Sequence, residues 1–129
     1  MLVRLNEVLV VREDSQIWWG AVARTVDDLA LALAEHRAVA EGSRGLHDEI
    51  LEEQPRLTHE VRALERDHAE LAEEVAELRA LVDESAGTRG GVALVLAAST
   101  EVVARIRGHE RRLATVLHEA YQRDLGGGD

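Results

Sequence analysis

Between Leu57 and Val82 the apolar residues fall four and three positions apart in strict alternation: Leu57, Val61, Leu64, then Leu71, Val75, Leu78 and Val82. A spacing that averages three and a half residues keeps all of them on one face of an α-helix. A strand would scatter them over both faces, because its side chains alternate at every residue. The one position the pattern reserves for a further aliphatic side chain, between Leu64 and Leu71, holds His68. The same rule picks out Trp19, Val22, Val26, Leu29, Leu33, His36 and Ala40 upstream, and Val95, Ser99, Val102, Ile106, His109, Leu113, Val116 and Ala120 downstream. Each of three long helices is thus expected to carry one histidine in its core-facing seam.

The punctuation between these seams sets the helix limits. Asp14 or Ser15 can cap a helix that runs from about 15 to 41, where "GSRG" stops it. "LHDEILEE", 46 to 53, reads as a short helix broken by Pro55, which lacks an amide donor and suits the first turn of the next helix. That helix is expected to reach about 84, where "ESAGTRGG" forms a loop, and the last helix to run from about 91 to 124. Residues 2 to 11 read as a short N-terminal helix, and 124–129 as a flexible tail. The expectation is a single all-α domain over residues 1–129: an antiparallel four-helix bundle with three long helices and one short one.

Composition narrows the function classes. Ala, Leu, Val, Glu and Arg dominate, with one proline and few β-branched isoleucines, which favours helices. The chain has no cysteine, so thiolate metal sites, cysteine nucleophiles and disulfides are excluded. With a formal net charge of -10 and all 15 basic residues arginine, phosphate-rich partners are repelled, so neither nucleic acid nor an anionic membrane surface is expected to bind. The sequence lacks the features of a secretion signal and any apolar run of membrane-spanning length, so a cytoplasmic protein is expected. No P-loop, nucleophile elbow or His-Glu-x-x-His signature occurs, which favours binding over catalysis.

The seam histidines sit at compatible heights. His68 lies roughly 24 Å, and His109 roughly 27 Å, from the loop that joins their helices, so their side chains can meet. His36 can reach the same level if the "GSRGLHDEILEEQ" segment absorbs the offset. Converging imidazoles are costly to bury without a shared partner, either a metal ion or a polar hydrogen-bonded network. Imidazole suits zinc, iron, copper and nickel alike. His47, His59 and His118 fall off the seams and read as solvated or rim residues. Glu65 forms a Glu-x-x-His pair with His68, but a ferritin-like carboxylate site needs that pair twice; Glu65 is therefore expected on the surface or as a partner that orients His68. Trp18, about 100° around the helix from Trp19, is expected to pack over the N-terminal helix.

The successive pieces "WWGAVARTVDDLALALAEHRAVAEG", "GLHDEILEEQPRL", "LERDHAEL" and "RGHERRLATVLHEAYQRDLGG" resemble bacterial hemerythrin-like (HHE) domains over most of residues 15 to 127. The resemblance implies a four-helix bundle with a non-haem iron site built from histidines and carboxylates, used to bind or sense dioxygen, peroxide or nitric oxide. His36, His68 and His109 match the histidines of the family's second, third and fourth helices. The family's carboxylates four residues after the second- and fourth-helix histidines are here Ala40 and Leu113, and its first-helix histidine has no counterpart. The expected site is therefore His36, His68 and His109 around an iron, or one zinc, with Glu41 and Glu119 as substitute carboxylates. The competing expectation is a bundle that has lost its metal and serves as an interaction or regulatory module, with a homodimer as one outcome.

Overall fold

The computed structural model describes residues 2–11 and 15–122, and among them every regular element is helical. In chain order these are α1 (Leu2–Val11), α2 (Gln16–Glu41), α3 (Leu46–Glu53), a 3-10 turn (Pro55–Leu57), α4 (Thr58–Ser85) and α5 (Gly91–Leu117), which passes into a π-helical turn (His118–Gln122). Four helices, α1, α2, α4 and α5, pack together, and the short α3 closes one end. No helix among the described residues is long and apolar enough to cross a membrane. The expected tail, 124–129, lies outside the described residues.

Local chemistry explains the boundaries. Ser15 caps α2: its Oγ accepts from the Trp18 amide at 3.1 Å, satisfying one of the helix's orphan donors, while the alternative cap, Asp14, lies outside the described residues. The turn after α2 needs glycine at position 45, since a Cβ there would run into the carbonyl oxygens of Val39 and Ala40. That close approach tucks the start of α3 beneath the end of α2. The Arg44 amide then donates to Asp48 at 3.0 Å, and Asp48 and Glu49 place negative charge in the first turn of α3, where the helix dipole favours it. Pro55 sits in the 3-10 turn, where its missing amide donor costs nothing, and α4 begins directly after it. α5 ends as a regular helix at Leu117, earlier than the spacing predicts, because the hydrogen-bond register widens to a π turn there.

Packing follows the seams, with one departure. Every α4 seam position from Leu57 to Val82 is buried, His68 included, and so is the α5 seam apart from the half-buried Leu113. The α2 seam is buried from Trp19 to Leu29, then surfaces at the half-buried Leu33 and the exposed His36, contrary to the latter's expected core position, before Ala40 is buried again. The reason is the length of α1. Its ten residues span roughly 15 Å, against roughly 39 Å for α2. Arg4 pairs with Asp28 at 3.3 Å and the Trp18 indole donates to the Val8 carbonyl at 3.0 Å, so α1 lies beside the first half of α2. Trp18 does pack on the N-terminal helix, and its ring meets Trp19 edge-on with centroids 4.8 Å apart.

The core is split in two. Leu5, Trp18, Trp19, Val22, Leu29, Leu71, Val75, Leu78, Val95, Val102 and Ile106 belong to one apolar cluster. Ile50, Leu57, Val61, Leu64, Val116 and Ala120 form the other, capped by the half-buried Tyr121, whose phenol bonds Glu49. On α4 the division falls between Leu64 and Leu71, and on α5 between Ile106 and Val116. His68 and His109 occupy that layer.

Candidate metal centre

His68 enters the layer from the middle of α4, and its Nδ1 lies 2.6 Å from Glu41 Oε2. Glu41 is the last residue of α2 and is itself held by Arg37 Nε at 3.1 Å. His109 enters from α5, with its Nδ1 2.9 Å from Asp67 Oδ2; Arg112 braces the other oxygen of that carboxylate. The remaining ring nitrogens of the two histidines face each other, Nε2 to Nε2, at 3.2 Å. His36 from α2 completes the group, its ring centroid 5.0 Å from that of His68 and 5.7 Å from that of His109. One ligand nitrogen from each of the three lies within 4.8 Å of the others.

The carboxylates decide what these nitrogens can do. An ionised carboxylate only accepts hydrogen bonds, so Nδ1 of His68 and of His109 must donate. In the neutral ring that leaves Nε2 as a lone pair, and the two lone pairs point at each other. Such a contact is satisfied only by a proton on one ring or by a cation beside the pair that both lone pairs can reach. Burial works against the proton at His68, lowering its pKa from the ordinary 6.5, while the Glu41 carboxylate opposes that shift. His36, though exposed at the rim, is lowered as well, by partial desolvation of its ring first and then by the neighbouring charges of His109 and His47.

The spacing of the His68 and His109 nitrogens is compatible with a metal ion, while the ligand atoms of the full trio, His36 included, lie within 4.8 Å of one another. Two nitrogens held at 2.0–2.1 Å by a tetrahedral zinc lie about 3.3 Å apart, close to the observed 3.2 Å. Carboxylates on the far nitrogens are the usual means of fixing tautomer and ring orientation in such sites. His36 lies exposed at the rim of the trio.

The expected carboxylates fall in different places. Glu41 belongs to the site through His68, which it orients. Glu119 lies in the π turn, half-exposed, where it pairs with Arg56 at 3.1 Å. Ala40, at one carboxylate position of the resembled pattern, is buried, and Leu113, at the other, is half-buried. A groove of about 460 Å³ runs between α2 and α4, walled by Leu33, Ala34, Ala38 and Ala72, and reaches Glu41 and His68.

Three residues of the site were not visible in the seam pattern. His47, expected to be solvated, is buried on α3, with its ring stacked on His68. Glu65 bonds Nδ1 of His47 at 3.2 Å and Arg62 at 2.9 Å, rather than orienting His68. Asp67 serves the histidine of the neighbouring helix, not the adjacent His68. A signal for His47 exists: it stands three residues before Ile50 on the same face of α3, and both are buried. His59 and His118 are exposed, as expected. No family model, no curated protein and no solved structure matches this chain.

Proposed function

We propose that this chain is a hemerythrin-like non-haem metal protein whose antiparallel bundle holds one iron or zinc through His36, His68 and His109. The observation that carries the reading is the convergence of three imidazoles from three helices, their ligand nitrogens within 4.8 Å, with the far nitrogens of His68 and His109 tied to Glu41 and Asp67. The ion-pair register supports the antiparallel arrangement: Asp27 meets Arg79 where Glu41 meets His68, and Glu74 meets Arg105 where Asp67 meets Arg112. In each pair of helices one number rises as the other falls.

The resemblance favours iron and the all-nitrogen trio accommodates zinc; iron would supply binding of dioxygen, peroxide or nitric oxide. The chain's part is to hold three neutral imidazoles at one point. The exposed edge at His36 and the groove beside His68 give a small molecule access. The test is metal content by inductively coupled plasma mass spectrometry on untagged protein, loaded anaerobically with iron and desalted, with an ultraviolet-visible spectrum of the same sample. About one metal per chain is expected. Metal near zero overturns the reading.

The facing Nε2 atoms also favour a second reading. A single proton shared between His68 and His109 would satisfy that contact, leaving a metal-free bundle that acts as an interaction or regulatory module. Self-association of a metal-free chain in sedimentation experiments would support it.

A further inference from the structure

α2 carries two seams. One, from Trp19 to Ala40, faces the core. The other runs through Arg24, Asp27, Leu31, Ala34, Ala38 and Glu41, again three and four residues apart, on the far side of the helix from the first. Leu31 is 61% exposed, and Arg24, Asp27, Ala34 and Ala38 are exposed as well. The apolar middle of this second seam borders the groove of about 460 Å³ between α2 and α4, where Ala34, Ala38 and Ala72 take up little room. An exposed leucine thus stands beside a hollow on the same surface. Apolar residues at this spacing on an open helix face are what a pairing helix needs.

The order of the residues says what fits. The seam is palindromic about its midpoint, between Ala32 and Leu33: positions 24 and 41, 27 and 38, and 31 and 34 are equidistant from it. When two copies of α2 lie antiparallel across a two-fold axis at that midpoint, those positions meet. Leu31 of each copy then meets Ala34 of the other, large against small. Arg24 meets Glu41, so opposite charges close both ends of the seam. Glu41 binds His68 and Arg37 through Oε2, which leaves Oε1 to accept from Arg24 of the second copy. Asp27 meets Ala38, its charge already answered by Arg79 at 2.9 Å. A parallel pairing would set Arg24, Asp27 and Glu41 each against its own like charge. In a chain of net charge -10, that is the repulsion a dimer must avoid.

We propose that this face of α2 is the interface of an antiparallel homodimer, in which Leu31 of each copy seats against Ala34 at the edge of the other's groove. Burial of the two leucines supplies the driving force, and the exposed ion pairs fix the register more than they add affinity. The dimer does not depend on the metal. Through Glu41 the interface adjoins His68 without supplying a ligand.

The test is sedimentation equilibrium of the full chain over a concentration series, with and without zinc. A dimer is expected in both conditions. Leu31→Glu is expected to weaken it at least about tenfold, because a carboxylate would be buried without a partner. Its helicity by circular dichroism should match the wild type, since position 31 is exposed. The chain has no cysteine, so single introduced thiols report the register. Leu31→Cys chains mixed with Ala34→Cys chains are expected to form the mixed disulfide faster than either variant couples to itself. A wild-type monomer, or a dimer that Leu31→Glu leaves intact, overturns the inference. So does faster self-coupling of the Leu31→Cys chain, the mark of a parallel pair. Metal content, measured separately, decides between the two readings of the histidine site whatever the oligomeric state.

Discussion

The two ends of α2 obey one seam rule with opposite results. At the tryptophan end, Trp19, Val22, Val26 and Leu29 are buried, with α1 alongside and α4 and α5 across the core. At the histidine end the same spacing yields a half-buried Leu33 and an exposed His36. The helix does not change between them; its neighbours do. α1 has stopped, and what closes the end of the bundle is the short α3, which buries His47 together with Ile50. An amphipathic pattern states which face a helix would bury; a second element must be present to bury it.

The largest effect that can break this contrast is a cavity. Leu29→Ala is expected to cost about 2 to 5 kcal/mol in chemical denaturation, whereas Leu33→Ala, one helical turn further on, should cost about 1 kcal/mol or less. Equal costs would mean that the two ends are packed alike. Next comes the metal: zinc at a hundredfold excess over its dissociation constant should stabilise the wild-type chain by about 2.7 kcal/mol, read as a rise in melting temperature. His68→Leu should abolish that rise. Without metal the same change should be neutral or stabilising, since it removes a buried polar group and restores the aliphatic seam.

A smaller effect is expected from pH. Burial depresses the pKa of folded His68, so below its ordinary value of 6.5 the unfolded chain takes up a proton that the folded chain resists. Stability is then complete above that value and declines on acidification, so the metal-free melting temperature should fall from about pH 7.5 to about pH 5.5. His68→Leu should flatten that slope. The smallest effect belongs to the tryptophan end. Ser99 is fully buried there, and its hydroxyl has no hydrogen-bond partner among the described residues. Ser99→Ala should raise stability by about 1 kcal/mol in the same denaturation assay.

How much could be read from the sequence follows the same division. The α4 seam was legible from Leu57 to Val82 because α4 lies between α2 and α5, so the face its pattern selects is covered along its length. The helix limits at Ser15, Gly42, Pro55 and Gly90 were legible because capping, backbone clash and the missing proline donor act locally. The exposure of His36 was not, since it depends on how far α1 extends alongside α2, a contact between elements that a spacing rule within α2 does not contain. Nor were the carboxylate partners: Asp67 adjoins His68 in the chain but points to α5, and Glu41 closes on a histidine 27 positions ahead. Such pairings are set by helix packing, to which a spacing rule within one helix is blind.

The central claim, that imidazoles from separate helices hold one metal in the layer between the two apolar clusters, is tested most directly by X-ray absorption at the metal edge of the zinc-loaded chain. The account predicts a first shell dominated by nitrogen at about 2.0 to 2.1 Å, with the multiple-scattering pattern of at least three imidazoles. A first shell of oxygen alone would place the metal on the acidic surface and contradict the account.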